Sequence, residues 1–206
     1  MDSQFIFSLI ILLFSVVIHE VAHGYAALYL GDRTAEYEGR LTLNPIRHID
    51  LVGTIILPAV SLMLPGGFIF GWAKPVPYNP YNLRNRRWGE AIVAAAGPLS
   101  NIALATIFGL IIRFYLVPQG MISGPMGQLC AIIVLVNVTL AIFNLVPIPP
   151  LDGSKILTSV LPARFMNLRN RIENFGFLGV FIFLLFIWQF FAPLIPWLFG
   201  VITGLS

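Results

Sequence analysis

Phe5-Ile6-Phe7-Ser8-Leu9-Ile10-Ile11-Leu12-Leu13-Phe14-Ser15-Val16-Val17-Ile18 runs without a break into His19-Glu20-Val21-Ala22-His23. The helical pattern then continues through Tyr25-Ala26-Ala27-Leu28-Tyr29-Leu30 to a stop at Gly31. Such a stretch is long enough to cross a bilayer. On a helix, His19 and His23 stand one turn apart on one face, where two imidazole nitrogens can share one tetrahedral metal ion. Glu20, between them, can reach water at that ion as a general base. Ionisable groups inside an apolar span are expensive, and by default they mark a functional site.

Composition agrees with a membrane setting. Of 206 residues, 58% are hydrophobic and 10% charged, more apolar surface than a water-soluble fold can bury. The expected fold class is therefore an all-α polytopic membrane protein, with residues 1–206 forming a single membrane-embedded domain. The net charge of +3 does not indicate nucleic-acid binding, because the Lys and Arg residues bracket apolar spans and form no basic patch interleaved with aromatics. Cys130 stands alone in an apolar run, which excludes an internal disulfide and suits packing. The first span lacks the basic start of a cleavable signal peptide and is expected to be retained.

Four strong apolar spans cover roughly 4–30, 89–116, 127–149 and 174–192. A weaker segment begins at Leu51, carries Pro58 and ends at Pro65-Gly66-Gly67, with the short apolar piece Phe68 to Ala73 after it. Its length suits a re-entrant segment over 51–73 better than a full crossing, although a short fifth span is the alternative. Charge favours re-entry: every Lys and Arg except Arg113 then falls on one side, which the positive-inside rule makes cytoplasmic. The N-terminus is then outside and the first span runs inward. Beyond Pro193, two prolines and Trp197 predict a break at the outer interface followed by a short interfacial helix ending near Gly204.

Two histidines leave a metal site incomplete. Of the acidic residues, all but Glu20 and Asp152 lie in loops, at a terminus or at a span edge. Asp152 follows a long apolar helix in Asn144-Leu145-Val146-Pro147-Ile148-Pro149-Pro150-Leu151-Asp152-Gly153, where prolines distort the backbone. In a membrane such irregular backbone is tolerated only when buried in protein or lining a cavity. His19, about 22 Å into a core of about 30 Å, and Asp152 both fall in the inner half, where they can meet. His48 reads as a loop residue at the interface, and Gly97, Pro98, Ser100 and Asn101 as close packing beside a kink.

Three motifs in order now carry a resemblance: His19-Glu20-x-x-His23 in the first span, Gly97-Pro98-Leu99-Ser100-Asn101 in the second, and Asn144-x-x-Pro147-x-x-x-Leu151-Asp152-Gly153 in the third. The chain resembles the site-2 protease family of intramembrane zinc metalloproteases, in its compact prokaryotic form without a PDZ-sized insert. The resemblance implies one Zn2+ per chain held by His19, His23 and Asp152, with Glu20 activating water and Asn144 holding the substrate carbonyl or the oxyanion. It implies an endopeptidase of the prokaryotic plasma membrane whose substrates are transmembrane-helix proteins in the lipid bilayer. Gly71-Trp72-Ala73-Lys74-Pro75-Val76-Pro77 resembles the family's membrane-inserted loop that pairs with an unwound substrate, although its two prolines cannot donate to a ladder. The alternatives are a membrane metal-ion binding protein or transporter, and a noncatalytic relative that binds transmembrane helices. A transporter calls for polar residues strung across the bilayer, whereas the sequence shows one cluster. The intact His-Glu-His set argues against a noncatalytic relative.

Overall fold

The computed structural model describes residues 3–56, 71–85, 87–161, 176, 179–180 and 182–205. Helix α1 spans Ser3–Tyr29 and is followed by the short α2, Thr34–Tyr37. Helix α3, Gly89–Ile111, continues through a wider turn over Ile112–Leu116, and α4 covers Pro125–Leu145. Helix α5 is Asp152–Val160, α6 is Trp188–Phe191 and α7 is Leu194–Thr203. No strand occurs among the described residues. Among the described residues, four helical stretches are long and apolar enough to cross a membrane: Phe5–Tyr29, Gly89–Leu116, Pro125–Leu145 and Phe183–Thr203.

Helix ends follow local chemistry. Helix α1 stops where Gly31 takes φ +105°, with Gly31 N–H donating to Leu28 and Asp32 N–H to Ala27, which satisfies carbonyls that the helix leaves open. Asn85 starts the turn into α3 by accepting from the N–H groups of Arg87 and Trp88. Pro125 opens α4, where its missing donor is not needed, and Pro147 lies just beyond the last residue of that helix.

The first half of α1 turns large side chains outward, among them Ile6, Phe7, Ile10 and Phe14. From Ser15 onward α1 is buried on two sides: Ser15, His19, His23 and Ala27 form one stripe, and Val17 and Val21 lie across the helix from it. The helix packs on α3 and α4. Contacts run from the second half of α1 to the first half of α3, so these two helices are antiparallel.

In the C-terminal segment the expected break at Pro193 and the expected helix end near Gly204 are both present. The described part of the expected 174–192 span includes a helical run from Phe183 to Phe191, while 174–175, 177–178 and 181 lie outside the described residues. The chain turns at Ala192 and Pro193 and becomes helical again. Helix α7 packs on the bundle. Ile195, Leu198, Phe199 and Ile202 pack on Ala105, Ile112, Leu116, Val134 and Val138 of α3, its extension and α4. Pro196 lies in the first turn of α7, where a missing N–H costs nothing, so a helix resumes directly after the break at Pro193. The aromatic run divides: Phe183 is buried against Phe143, Trp188 and Phe191, whereas Phe186 and Phe190 are exposed on the apolar outside.

The chain enters and leaves 57–70, which lies outside the described residues, at neighbouring points. Trp72 N–H donates to Gly53 O at 3.0 Å, and Thr54 Oγ1 donates to Trp72 O at 2.9 Å. The two flanks are thus tied to each other by hydrogen bonds.

Candidate metal centre

The structure brings three sequence-predicted residues to one point. His19 Nε2 lies 3.0 Å from Asp152 Oδ2, His23 Nε2 lies 3.2 Å from the same oxygen, and the two Nε2 atoms are 3.1 Å apart. All three residues are buried. Asp152 reaches the histidines because α4 ends at Leu145, residues 146–151 turn back, and α5 opens on Asp152 itself. Gly153 permits the turn: a Cβ there would overlap the backbone of Leu145 and Val146.

The far side of each ring is fixed. His23 Nδ1 donates to Val93 O at 2.7 Å, and His19 Nδ1 is 2.6 Å from Asn101 Oδ1. A carbonyl oxygen can only accept, so Nδ1 of His23 carries the proton and its Nε2 presents a lone pair. Two ring nitrogens and a carboxylate oxygen therefore converge with electron pairs facing inward. Such a cluster needs positive charge at its centre. Ligand atoms around a tetrahedral zinc with bonds of about 2.0–2.1 Å are about 3.3 Å apart, close to the three separations here. Gly97 leaves room in front of them, because a Cβ at that position would lie 2.5 Å from Nε2 of both histidines. Donor chemistry and spacing both fit a zinc ion.

Glu20 is one residue along α1, and its Oε2 accepts from Val76 N–H at 2.8 Å. Pro75 and Pro77 carry no N–H, so Val76 has the one donor of that tripeptide, and it is committed to Glu20. The segment is tied down elsewhere as well. Lys74 N–H donates to His48 O, Arg40 Nη2 donates to the carbonyls of Lys74 and Pro75, and Asn79 N–H donates to Asp32. Asp32 also accepts from Thr34 and from Asn82 Nδ2. Burial works against the Asp32 carboxylate, but these hydrogen bonds outweigh it and hold its pKa below the usual range.

Some sequence readings change. His48, read from sequence as a loop residue at the interface, is 1% exposed: its Nε2 donates to Thr42 O and its backbone carbonyl accepts from Lys74 N–H. Asn144 donates from Nδ2 to Leu140 O one turn back, and no hydrogen bond among the described residues joins it to the three donor atoms. Asn101, read from sequence as a packing residue, touches His19 directly, and Asn137 lies behind it. The available signal was an amide inside an apolar helix, which must find a partner.

The family model described as peptidase family M50 matches residues 7–127 and 111–187. The chain is 39% identical to YwhC of Bacillus subtilis over 173 residues, 82% of this chain and 75% of that protein. It is 30% identical to Rip2 of Mycolicibacterium smegmatis over 198 residues, 94% of this chain and 73% of that protein. With MJ0611 of Methanocaldococcus jannaschii the identity is 32% over 159 residues, 74% of this chain and 70% of the relative. All three are named as zinc metalloproteases. No solved structure matches the chain.

Proposed function

The chain belongs to peptidase family M50, the site-2 protease family, and on the premise that it is a multi-pass zinc metalloprotease we propose a role for each residue of the site. His19, His23 and Asp152 hold the zinc, and the observation that carries this reading is their meeting within 3.2 Å. When bound, the ion supplies Lewis acidity toward a water molecule and the scissile carbonyl. Glu20 takes a proton from that water as it attacks the carbonyl carbon, and gives the proton to the amine as the C–N bond breaks. The Val76 N–H fixes Oε2 of Glu20 and leaves Oε1 to move the proton. Asn144 still has one amide hydrogen beyond its bond to Leu140, and this hydrogen serves the substrate carbonyl or the oxyanion.

The substrates are transmembrane-helix proteins, which must unwind locally because a helix hides its amides in its own hydrogen bonds. The prokaryotic plasma membrane is the proposed site of action, with the N-terminus outside and the metal centre toward the cytoplasm. Support comes from the described cations: Arg33, Arg40, Arg47, Lys74, Arg84, Arg87 and Lys155 belong to the segments around the site end, and Arg113 lies at the far end of α3 beside α7.

The test separates chemistry from metal binding. Glu20→Gln keeps one zinc per chain and loses cleavage of a single-span model substrate by at least about 100-fold. His19→Ala loses zinc and cleavage together. Cleavage by Glu20→Gln at the parent rate would remove Glu20 from the base role, and stoichiometric zinc in His19→Ala would remove His19 from the ligand set.

A further inference from the structure

Behind His19, away from the ion site, lies a polar chain that links three helices inside the apolar core. Asn101 on α3 and Asn137 on α4 are both 0% exposed. Asn101 Oδ1 is 2.6 Å from His19 Nδ1, and Asn101 Nδ2 donates to Asn137 Oδ1 at 2.8 Å and to the backbone carbonyl of Ser15 at 3.5 Å. Asn137 Nδ2 donates to Ser15 Oγ at 2.9 Å and to the backbone carbonyl of Ile133 at 2.9 Å.

The direction of this chain is decided at its far end. An amide oxygen and nitrogen look alike, so their assignment must come from partners that can only donate or only accept. Ile133 O can only accept, so the NH2 of Asn137 faces it and the amide oxygen of Asn137 faces Asn101. That oxygen also can only accept, so Asn101 presents NH2 to Asn137 and turns its own oxygen to His19. Nδ1 of His19 must then carry the ring proton, which leaves the Nε2 lone pair directed at His23 and Asp152. His23 needs no relay, since Val93 O sets its tautomer directly.

We propose that Asn101 and Asn137 are positioning residues that set the tautomer and orientation of His19 through a hydrogen-bond relay anchored on the Ile133 carbonyl. Ser15, on α1 one turn before His19, ties the relay to the helix that carries the ligand. The proposal rests on the reading of His19 as a zinc ligand and extends it to residues on two other helices. Outer-shell partners of metal-bound histidines typically change metal affinity by about 10- to 100-fold when removed.

The experiment starts from the zinc-loaded full-length protein in detergent micelles and measures zinc affinity by competition with a chelator. Asn101→Leu and Asn137→Leu are expected to weaken zinc by about 10- to 100-fold. Asn101→Asp keeps an acceptor facing Nδ1 and is expected to hold zinc more tightly than Asn101→Leu. A mere packing role gives the reverse order, because Leu fills the volume without burying a charge. With 15N-labelled histidine, the Nδ1–H resonance of His19 shifts in Asn137→Leu while that of His23, bonded to Val93 O, stays in place. Where Asn101→Leu does not fold, Asn137→Leu carries the same test from one residue further away. Zinc affinity within about twofold of the parent in a folded Asn137→Leu protein, with an unmoved His19 resonance, overturns the relay. Stoichiometric zinc in His19→Ala overturns instead the ligand assignment beneath it.

Discussion

At the scale of single residues, the site depends on what is absent as much as on what is present. Gly97 is the clearest case, because a methyl group there would lie 2.5 Å from both Nε2 atoms. Ala favours helix over Gly by about 1 kcal/mol, so Gly97→Ala does not threaten α3 as a helix. The expected outcome is a folded protein with well under one zinc per chain and little cleavage, checked by metal analysis beside the unfolding midpoint. A Gly97→Ala protein with full zinc would show that the ligands can shift to make room. Gly24, one residue after His23, serves a similar purpose on the other side, since a Cβ there would press on Leu41 and Val76. The active-site loop approaches α1 closely because that position has no side chain.

Among the elements, the 71–84 segment is the one that the site cannot spare. It covers the end of α1 and is held by isolated hydrogen bonds to separate anchors: Gly53, His48, Arg40, Glu20, Asp32 and Leu30. Asp32 is the anchor whose charge matters, and the sign of its pH effect follows from its lowered pKa. A carboxylate whose pKa is lower folded than unfolded contributes stability above its unfolded value of about 3.9, and that contribution is lost as pH falls through the folded value. Asp32→Asn turns an NH2 donor toward donors that need an acceptor, and leaving such donors unpaired costs about 1–3 kcal/mol. The variant should therefore unfold at lower temperature than the parent at pH 7, with the gap closing as pH drops below about 4. A gap that stays constant through that range would show that the Asp32 charge contributes nothing. At the opposite end, α7 seats Ile202 on Gly109, a contact that any larger residue at 109 would displace.

For the molecule as a whole, the alternation of helices places the proposed metal centre and most of the described cations at one end. The proposed membrane sidedness rests on that placement. Leu43, in the loop near the site, is 57% exposed, and Gln119, in the turn between α3 and α4, is exposed at the other end. Cys130 is buried and gives little background for thiol labelling. In intact cells, Gln119→Cys should react with a membrane-impermeant maleimide, and Leu43→Cys only after permeabilisation. The opposite pattern would invert the proposed topology and place the metal centre on the outer side.

The sequence by itself determined the membrane class, the first three helical spans and the chemical type of the site. Each of these is written in local patterns: an apolar run of bilayer length, a four-residue histidine spacing, and prolines that end a helix before Asp152. It also favoured re-entry over 51–73 through the placement of charge, a segment of which 57–70 lies outside the described residues. Other features were decided only by tertiary structure. Nothing along the chain says that the carbonyl of Ile133 fixes an amide that fixes another amide that fixes His19, because those residues come from three helices. Nor could local reading place His48 behind the loop, commit the Val76 donor to Glu20, or pack α7 on α3 and α4. The physical reason is the same in each case: a buried polar group or apolar face must find a partner, but the identity of that partner is set by which helices the fold brings side by side.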